Sequence, residues 1–388
     1  MLTQRIYFAV LVIACAEGVR THARHDVEGQ AQCDLSKGRW ERTETQEPYS
    51  HLSVEPAFRC PHKTAFKYSW VPDNCELPAF QAEHMRSIAN RQGIVMIGDS
   101  LVRNMYESLH MLLRVPTHIT FTSQNYFGCL TRPMASSTLV ANTTNDYEYK
   151  SSILRKAVEE LAGAGRAVEQ FGDAGQNLIS EGAGGSFDVG LDRANLGFLK
   201  PIRNNTIVLI GGGHHFAHRG NRYSWQGMAL NDTGGNINVE AYRLALTNVV
   251  RKLEDMRFTG HVILQTYSPA HYFVGDWDTS PPGYCDGHTE PRNDIKEYTD
   301  LGSTTFSSIE DTNLMLHSLV TESTLKIKIL DITGMSWGRA DAHPGQDSRN
   351  DCSHWCLPGL PDVWNQAFLS LLSGLELDQS RIEKELSM

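Results

Sequence analysis

Ile94-Val95-Met96-Ile97-Gly98-Asp99-Ser100-Leu101-Val102-Arg103-Asn104 is the stretch on which the fold reading turns. Four apolar residues ending at a glycine read as a short buried strand. Beyond them Leu101, Met105, Leu109 and Leu112 recur at helical spacing. Gly98-Asp99-Ser100 is then the turn from a strand into a helix. The alternation repeats down the chain. Ile207–Ile210 is an apolar run followed by three glycines, 239–256 has helical periodicity, and Val262–Leu264 reads as another strand. Residues 309–324 look helical and Ile327–Ile332 reads as a strand. Pro361 stands where a last helix would start, with Trp364, Phe368, Leu371, Leu372 and Leu375 on one face. Strands alternating with helices predict an α/β fold, a parallel sheet covered on both sides. Such sheets gather ligands at the carboxyl ends of their strands. Ser100, the glycines 211–213 and the segment after Ile332 all lie at such ends.

Before this region, residues 24–88 hold three cysteines, several aromatics and little helical periodicity. They read as a smaller, disulfide-tied, loop-rich N-terminal lobe, with the main α/β domain over 89–376 and a tail over 377–388. Leu161–Leu196 is rich in Gly and Ala and reads as a long insertion with a flexible part around Gly182–Ser186. No GKS or GKT follows it, so it is not a phosphate loop.

The first 23 residues carry a different signal. Arg5 precedes an apolar run, Ile6–Ala16, which is short for a bilayer but suits a signal peptide. Ala14-Cys15-Ala16 and Thr21-His22-Ala23 are candidate cleavage sites, and an uncleaved short anchor is the alternative. Cleavage at either site removes Cys15 and leaves Cys33, Cys60, Cys75, Cys129, Cys285, Cys352 and Cys356. Their wide spacing suits disulfides. Cys352 and Cys356 bracket His354, but no second Cys or His pair at zinc-finger spacing accompanies them, so no metal is expected. Sequons begin at Asn142, Asn204 and Asn231. Together these place the chain in the secretory pathway, in the Golgi lumen or outside the cell, on a membrane only if the apolar run is uncleaved. The 388 residues carry a net charge of −10 without a long basic run, which argues against a nucleic-acid partner.

Two short constellations carry the chemistry. A serine hydroxyl at a helix start sits beside free backbone N–H groups and in the positive field of the helix. Asp351-Cys352-Ser353-His354 supplies an imidazole to take the hydroxyl proton and a carboxylate to orient that imidazole. Taken singly, each has a plain structural reading: a capped turn, or a surface Asp and His without a shared role.

Their flanks carry a resemblance. Gly98–Asn104 (GDSLVRN), Leu330–Ser336 (LDITGMS), His343-Pro344 and Asp351–Asn365 (DCSHWCLPGLPDVWN) resemble signature blocks of the plant trichome-birefringence-like family of polysaccharide O-acetyltransferases, within the wider PC-esterase group. Cys33-Asp34 with Gly38-x-Trp40, Tyr68-x-Trp70 with Cys75-Glu76-Leu77-Pro78, and Gln265–His271 resemble its N-terminal and central blocks. The likeness runs from Cys33 to about Leu372. It implies an SGNH (GDSL) hydrolase-like three-layer α/β/α fold and a triad of Ser100, His354 and Asp351. It also implies acetyl transfer to a polysaccharide or oligosaccharide acceptor through an acetyl-serine. No cofactor is bound in that chemistry, but an acetyl donor is required, acetyl-CoA or another carrier. The Ser100 N–H is the expected oxyanion donor, with the Gly213 N–H and the Arg103 or Asn104 side chains as candidates. Gly98, Asp99 and His214 stand beside them. The alternatives are that Arg103 pairs with a surface carboxylate and Asn104 supports the turn. Trp355 and His271 are candidates for lining the acceptor groove, and packing beneath the histidine loop is the alternative for Trp355.

The chain departs from the family pattern at several points. The block that normally reads N-T-G-H-W-W is Gly211–Phe216 (GGGHHF), so an Asn is replaced by Gly211. The Arg of the central F-R-T is Gln265, and the cysteine expected in the helix after the GDS block is absent, with Met111 near its place. The resemblance then implies Cys33–Cys75, Cys285 with Cys352 or Cys356, and Cys60–Cys129 as a local solution. A carbohydrate acetyl-esterase using the same triad and a non-catalytic glycan-binding protein are the rival functions.

Overall fold

The apolar runs do become the core strands, because each alternates its side chains between two helical layers. The computed structural model describes residues 34–44, 47–49, 54, 58–60, 64–114, 119–123, 179–181, 187–190, 196–199, 202–217, 222–226, 228–230, 236–272, 285–293, 304–345 and 351–386. In chain order these hold β1 (Gly38–Arg42), β2 (Tyr68–Pro72), α1 (Ala82–Gln92), β3 (Ile94–Gly98), α2 (Ser100–Leu113) and β4 (Ile119–Ser123). Next come β5 (Ile179–Glu181), β6 (Phe187–Gly190), β7 (Ile207–Ile210), β8 (Arg222–Trp225), β9 (Met228–Ala229) and α3 (Ile237–Asp255). The remainder is β10 (His261–Gln265), α4 (Thr304–Glu322), β11 (Lys326–Leu330), α5 (Thr333–Trp337) and α6 (Leu360–Leu386).

The central sheet has five strands in the order β11-β10-β7-β3-β4, every neighbouring pair parallel. Along β3, Ile94 and Met96 join one core cluster with residues of α1, α2 and α6, while Ile97 joins the other, built from α3 and α4. In β7, Ile207 and Leu209 face the first cluster, Val208 and Ile210 the second. This is the period-2 pattern of a strand buried on both faces, and it makes the three-layer α/β/α sandwich of an SGNH-like fold. The first strand of the sheet, β3, lies between β4 and β7, so the order reverses there. The crevice between the carboxyl ends of β3 and β7 is the place where such sheets bind ligands.

The strands β1 and β2 belong to the same compact unit as this sandwich, Asp34–Met388. β1 and β2 pair antiparallel with Trp40 opposite Trp70, ring centroids 5.4 Å apart. The Trp40 indole N–H donates to the Met335 carbonyl, 3.0 Å. Arg339, wholly buried, lies over the Trp40 ring at 4.2 Å and is neutralised by Asp341 at 2.9 Å. β5, β6, β8 and β9 form a small second sheet in that order. Of the predicted insertion, β5 and β6 are seen, and Gly182–Ser186 lies outside the described residues. α6 runs on to Leu386, into the stretch expected as a tail, whose Leu, Glu, Gln, Arg and Lys are all good helix formers.

Two disulfides are described. Cys285 joins Cys352, one of the two expected partners, and Cys60 joins Cys356. The expected local pair Cys60–Cys129 is thereby corrected: the segment carrying Cys60 folds back on the turn before α6, bringing two Cα atoms 296 positions apart to 5.5 Å. Cys75 is also disulfide-bonded, while Cys33 and Cys129 lie outside the described residues. Met111, near the place of the missing family cysteine, packs instead in an apolar cluster with Tyr49, Val54, Phe58 and Leu357. No helix among the described residues is long and apolar enough to cross a membrane, and the apolar run 6–16 lies outside them.

Candidate active site

Asp99 ends the turn after β3 as the N-cap of α2, its Oδ1 accepting the Leu101 N–H at 3.0 Å. Its Oδ2 accepts the N–H groups of Gly213 (3.0 Å) and His214 (3.3 Å) from the loop after β7. That crossing is possible because residue 212 is glycine. A Cβ there would lie 2.5 Å from the Asp99 carboxyl carbon, and φ is +99°. The buried carboxylate thus locks the ends of the two central strands together and leaves Ser100 as the first residue of α2.

Opposite it, the turn before α6 is shaped by one carboxylate. Asp351 Oδ1 accepts the backbone N–H groups of Ser353 and His354, both at 2.9 Å. Its Oδ2 lies 2.6 Å from His354 Nδ1, and His354 Nε2 lies 2.7 Å from Ser100 Oγ. Burial pushes the Asp351 carboxyl up, but the His354 imidazole and the backbone N–H groups outweigh it and hold the carboxyl below its ordinary value. An ionised Asp351 fixes His354 with hydrogen on Nδ1 and a lone pair on Nε2, the arrangement that accepts a proton from a serine hydroxyl.

Several other sequence candidates lie nearby with different contacts. Asn104 is buried and pairs with the backbone of Trp355 through both ends of its amide: Oδ1 accepts the N–H at 2.8 Å, Nδ2 donates to the carbonyl at 3.2 Å. This is the supporting role that the sequence offered as the alternative for Asn104, here directed at the histidine turn. The Gly213 N–H is likewise turned to Asp99 rather than to an oxyanion. The Arg103 guanidinium pairs with Glu107 one turn along its own helix, 2.8 Å. Trp355 is wholly buried and His271 nearly so, so neither lines an open groove. The turn that presents His354 outward sends its neighbour Trp355 inward, where the indole N–H donates to Ser268 Oγ at 3.0 Å. His214 is also buried, its Nε2 2.6 Å from the Ser268 carbonyl and its ring stacked on Tyr267. Gly98 serves close packing: a Cβ there would sit 2.6 Å from the Gly211 carbonyl oxygen. Two of the three departures from the family pattern meet in space, because a Cβ on Gly211 would lie 2.7 Å from Gln265 Oε1.

Phe58 escaped the sequence reading. Its ring packs on the His354 imidazole, centroids 5.4 Å apart, and its carbonyl accepts the Leu357 N–H at 3.0 Å. Its position two residues before Cys60, the disulfide partner of Cys356, is the one signal that could have found it. Cys352 and Cys356 both have their sulfurs in disulfides, and no group of three or more potential ligand side chains is gathered among the described residues.

Residues 77–371 match the PC-esterase family, described as a GDSL/SGNH-like acyl-esterase family found in Pmr5 and Cas1p. The chain belongs to the PC-esterase family. Among its curated relatives is protein trichome birefringence-like 38 of Arabidopsis thaliana, 28% identical over 92% of this chain and 89% of that protein. Protein trichome birefringence-like 42 of the same plant is 25% identical over 95% and 98%. Xyloglucan O-acetyltransferase 2, also from Arabidopsis thaliana, is 26% identical over 89% of this PC-esterase and 83% of its own length.

Proposed function

We propose that this PC-esterase is a polysaccharide O-acetyltransferase working through an acetyl-serine on Ser100. The observation that carries the reading is the unbroken run Asp351–His354–Ser100, with hydrogen-bond distances of 2.6 and 2.7 Å, at the first turn of α2. His354 Nε2 takes the Ser100 proton as Oγ attacks the acetyl carbonyl of the donor. The Ser100 N–H, at the first turn of α2, and the field of that helix stabilise the oxyanion. The leaving group departs with the proton from His354, and acetyl-Ser100 remains. A sugar hydroxyl then gives its proton to His354 while its oxygen attacks the acetyl carbon, and His354 returns that proton to Ser100 Oγ. Polysaccharide as acceptor is carried over from the xyloglucan enzyme among the relatives. The disulfides fit an oxidising compartment, which together with the N-terminal apolar run and the sequons supports a place in the secretory pathway.

Hydrolysis of an acetyl ester by the same three residues is the second reading, favoured by the family's description as acyl-esterases. Intact mass of the protein and its Ser100→Ala variant, after exposure to an acetyl donor with and without oligosaccharides, separates the two. Acetyl found on Ser100 and then on sugar supports the transferase. Acetyl lost only to water across a broad glycan panel supports the esterase. No acetylation with any donor, together with tight glycan binding, overturns both and leaves a binding protein.

A further inference from the structure

Of the three sequons, Asn204-Asn205-Thr206 lies among the described residues, while Asn142 and Asn231 lie outside them. Arg203–Thr206 form a β-turn, closed by the Thr206 N–H donating to the Arg203 carbonyl at 3.1 Å. Asn204 and Asn205 are its two central residues, and both are exposed. The turn is held through its main chain. The Asn204 carbonyl accepts the N–H and the hydroxyl of Thr259, at 3.1 and 2.9 Å. Next to Thr259, Gly260 packs so closely that a Cβ on it would lie 2.2 Å from the Thr206 carbonyl oxygen. These contacts engage the backbone and leave Asn204 exposed. Thr206, at the other end of the sequon, is only 4% exposed and leads straight into β7.

We propose that Asn204 is the attachment site of an N-linked oligosaccharide, and that the transfer precedes the docking of β7 into the central sheet. The site rests on the reading of the chain as a secretory-pathway protein. The oligosaccharide comes from a polyprenyl-pyrophosphate carrier. The bond from the sugar C1 to the phosphate oxygen breaks and a bond from C1 to the Asn204 amide nitrogen forms. The amide gives up one proton, and the pyrophosphate leaves with the electron pair.

The order of the two steps follows from the burial of Thr206. The acceptor signal is an asparagine with a serine or threonine two residues on, so the transferase must reach both ends of it at once. In the folded chain it reaches one. Thr206 is buried, its N–H closes the turn, and the four residues of β7 that follow are all buried between β3 and β10. Freeing Thr206 means withdrawing the start of a central strand, which belongs to the most protected part of a fold rather than to its fraying ends. The unfolded chain carries no such restriction. The finished fold accepts the glycan because Asn204 itself stays exposed. Its place also keeps a bulky group off the site. Asn204 precedes the amino end of β7, where Ile207 lies beside Ile94 of β3, whereas Ser100 follows the carboxyl end of β3. The two edges are separated by a strand length, on the order of 15 Å.

The test has two arms on the full chain. In the first, protein made in insect cells is treated with peptide-N-glycosidase in heavy-oxygen water. Glycan removal should turn Asn204 into an aspartate carrying the heavy isotope, read by mass spectrometry of its peptide, and Asn204→Gln should lose one glycan in gel mobility. Unmodified Asn204 in a secreted or luminal protein overturns the site and leaves the secretory reading standing. A cytosolic protein with reduced thiols overturns both together. In the second arm, the chain made in bacteria without glycans is offered to an oligosaccharyltransferase and its polyprenyl-pyrophosphate donor in two forms. One is folded with its disulfides formed, and the other is reduced and carboxymethylated so that it cannot fold. Transfer to Asn204 should occur on the unfolded form and be lost on the folded one. Equal transfer to both overturns the order of the steps, and transfer to neither counts against the site itself.

Discussion

Asp351 uses each carboxylate oxygen for a different purpose. One shapes the turn by accepting two backbone N–H groups, and the other orients the His354 imidazole. Its folded value lies below the unfolded 3.8. The stability it contributes is therefore present above 3.8 and is lost as pH falls through the lower folded value. Asp351→Asn keeps the size of the side chain but can offer an N–H to Nδ1, which favours the wrong tautomer. We expect kcat to fall by about 10³–10⁴ with KM little changed, measured by steady-state acetyl transfer or ester hydrolysis. The spacing Asp351-x-x-His354 was legible because it lies within one turn. The fates of Asn104, Trp355 and His271 were not, because a polar or aromatic side chain near a motif reads alike whether it faces substrate or the interior. Only their burial separates the two.

Asn104 shows how one side chain ties two elements. It projects from α2 and holds the turn before α6 by pairing with a peptide 251 positions away. In Asn104→Ala the Trp355 N–H and C=O lose both partners in a buried site. Each stranded group costs about 1–3 kcal/mol, so the variant should lose roughly 2–6 kcal/mol in urea unfolding. It should also lose activity, since the His354 turn is loosened. Undiminished stability would mean that the turn is held elsewhere. The elements themselves were largely legible. β3 and β7 match their apolar runs, and α3 lies within two residues of its expected bounds. β4 was missed because Ile119-Thr120-Phe121-Thr122-Ser123 alternates apolar and polar, as suits the edge of a sheet rather than its centre. The pairing of β1 with β2 was missed because its two Trp residues sit 30 positions apart in loop-rich sequence.

Asp362 connects three distant parts of the chain. It stands in the first turn of α6 and accepts from Tyr49 of the N-terminal segment (2.7 Å), from Ser108 of α2 and from the Gly359 N–H (2.7 Å). Burial, outweighing these hydrogen bonds, raises its carboxyl from 3.8 to about 6. A raised folded value means that the folded protein binds this proton more tightly than the unfolded chain. The contribution is complete below 3.8 and is lost as pH rises through about 6. Two units correspond to about 3 kcal/mol, so the stability of wild type relative to Asp362→Asn should fall by about that much from pH 3.5 to pH 7. Thermal or urea unfolding across that range checks it, and a pH-independent difference would show that Asp362 ionises freely. The order of residues by itself determined the α/β alternation, the serine at the strand-to-helix turn and the carboxylate three residues before the histidine. Those features depend on periodicity and hydrogen bonds within a few positions. Folding of the full chain decided that Cys60 meets Cys356, that Phe58 covers His354, and that His271 and His343 face each other. Those contacts join segments 72 to 296 positions apart, and such meetings are set by how the layers pack, which no local pattern of residues encodes.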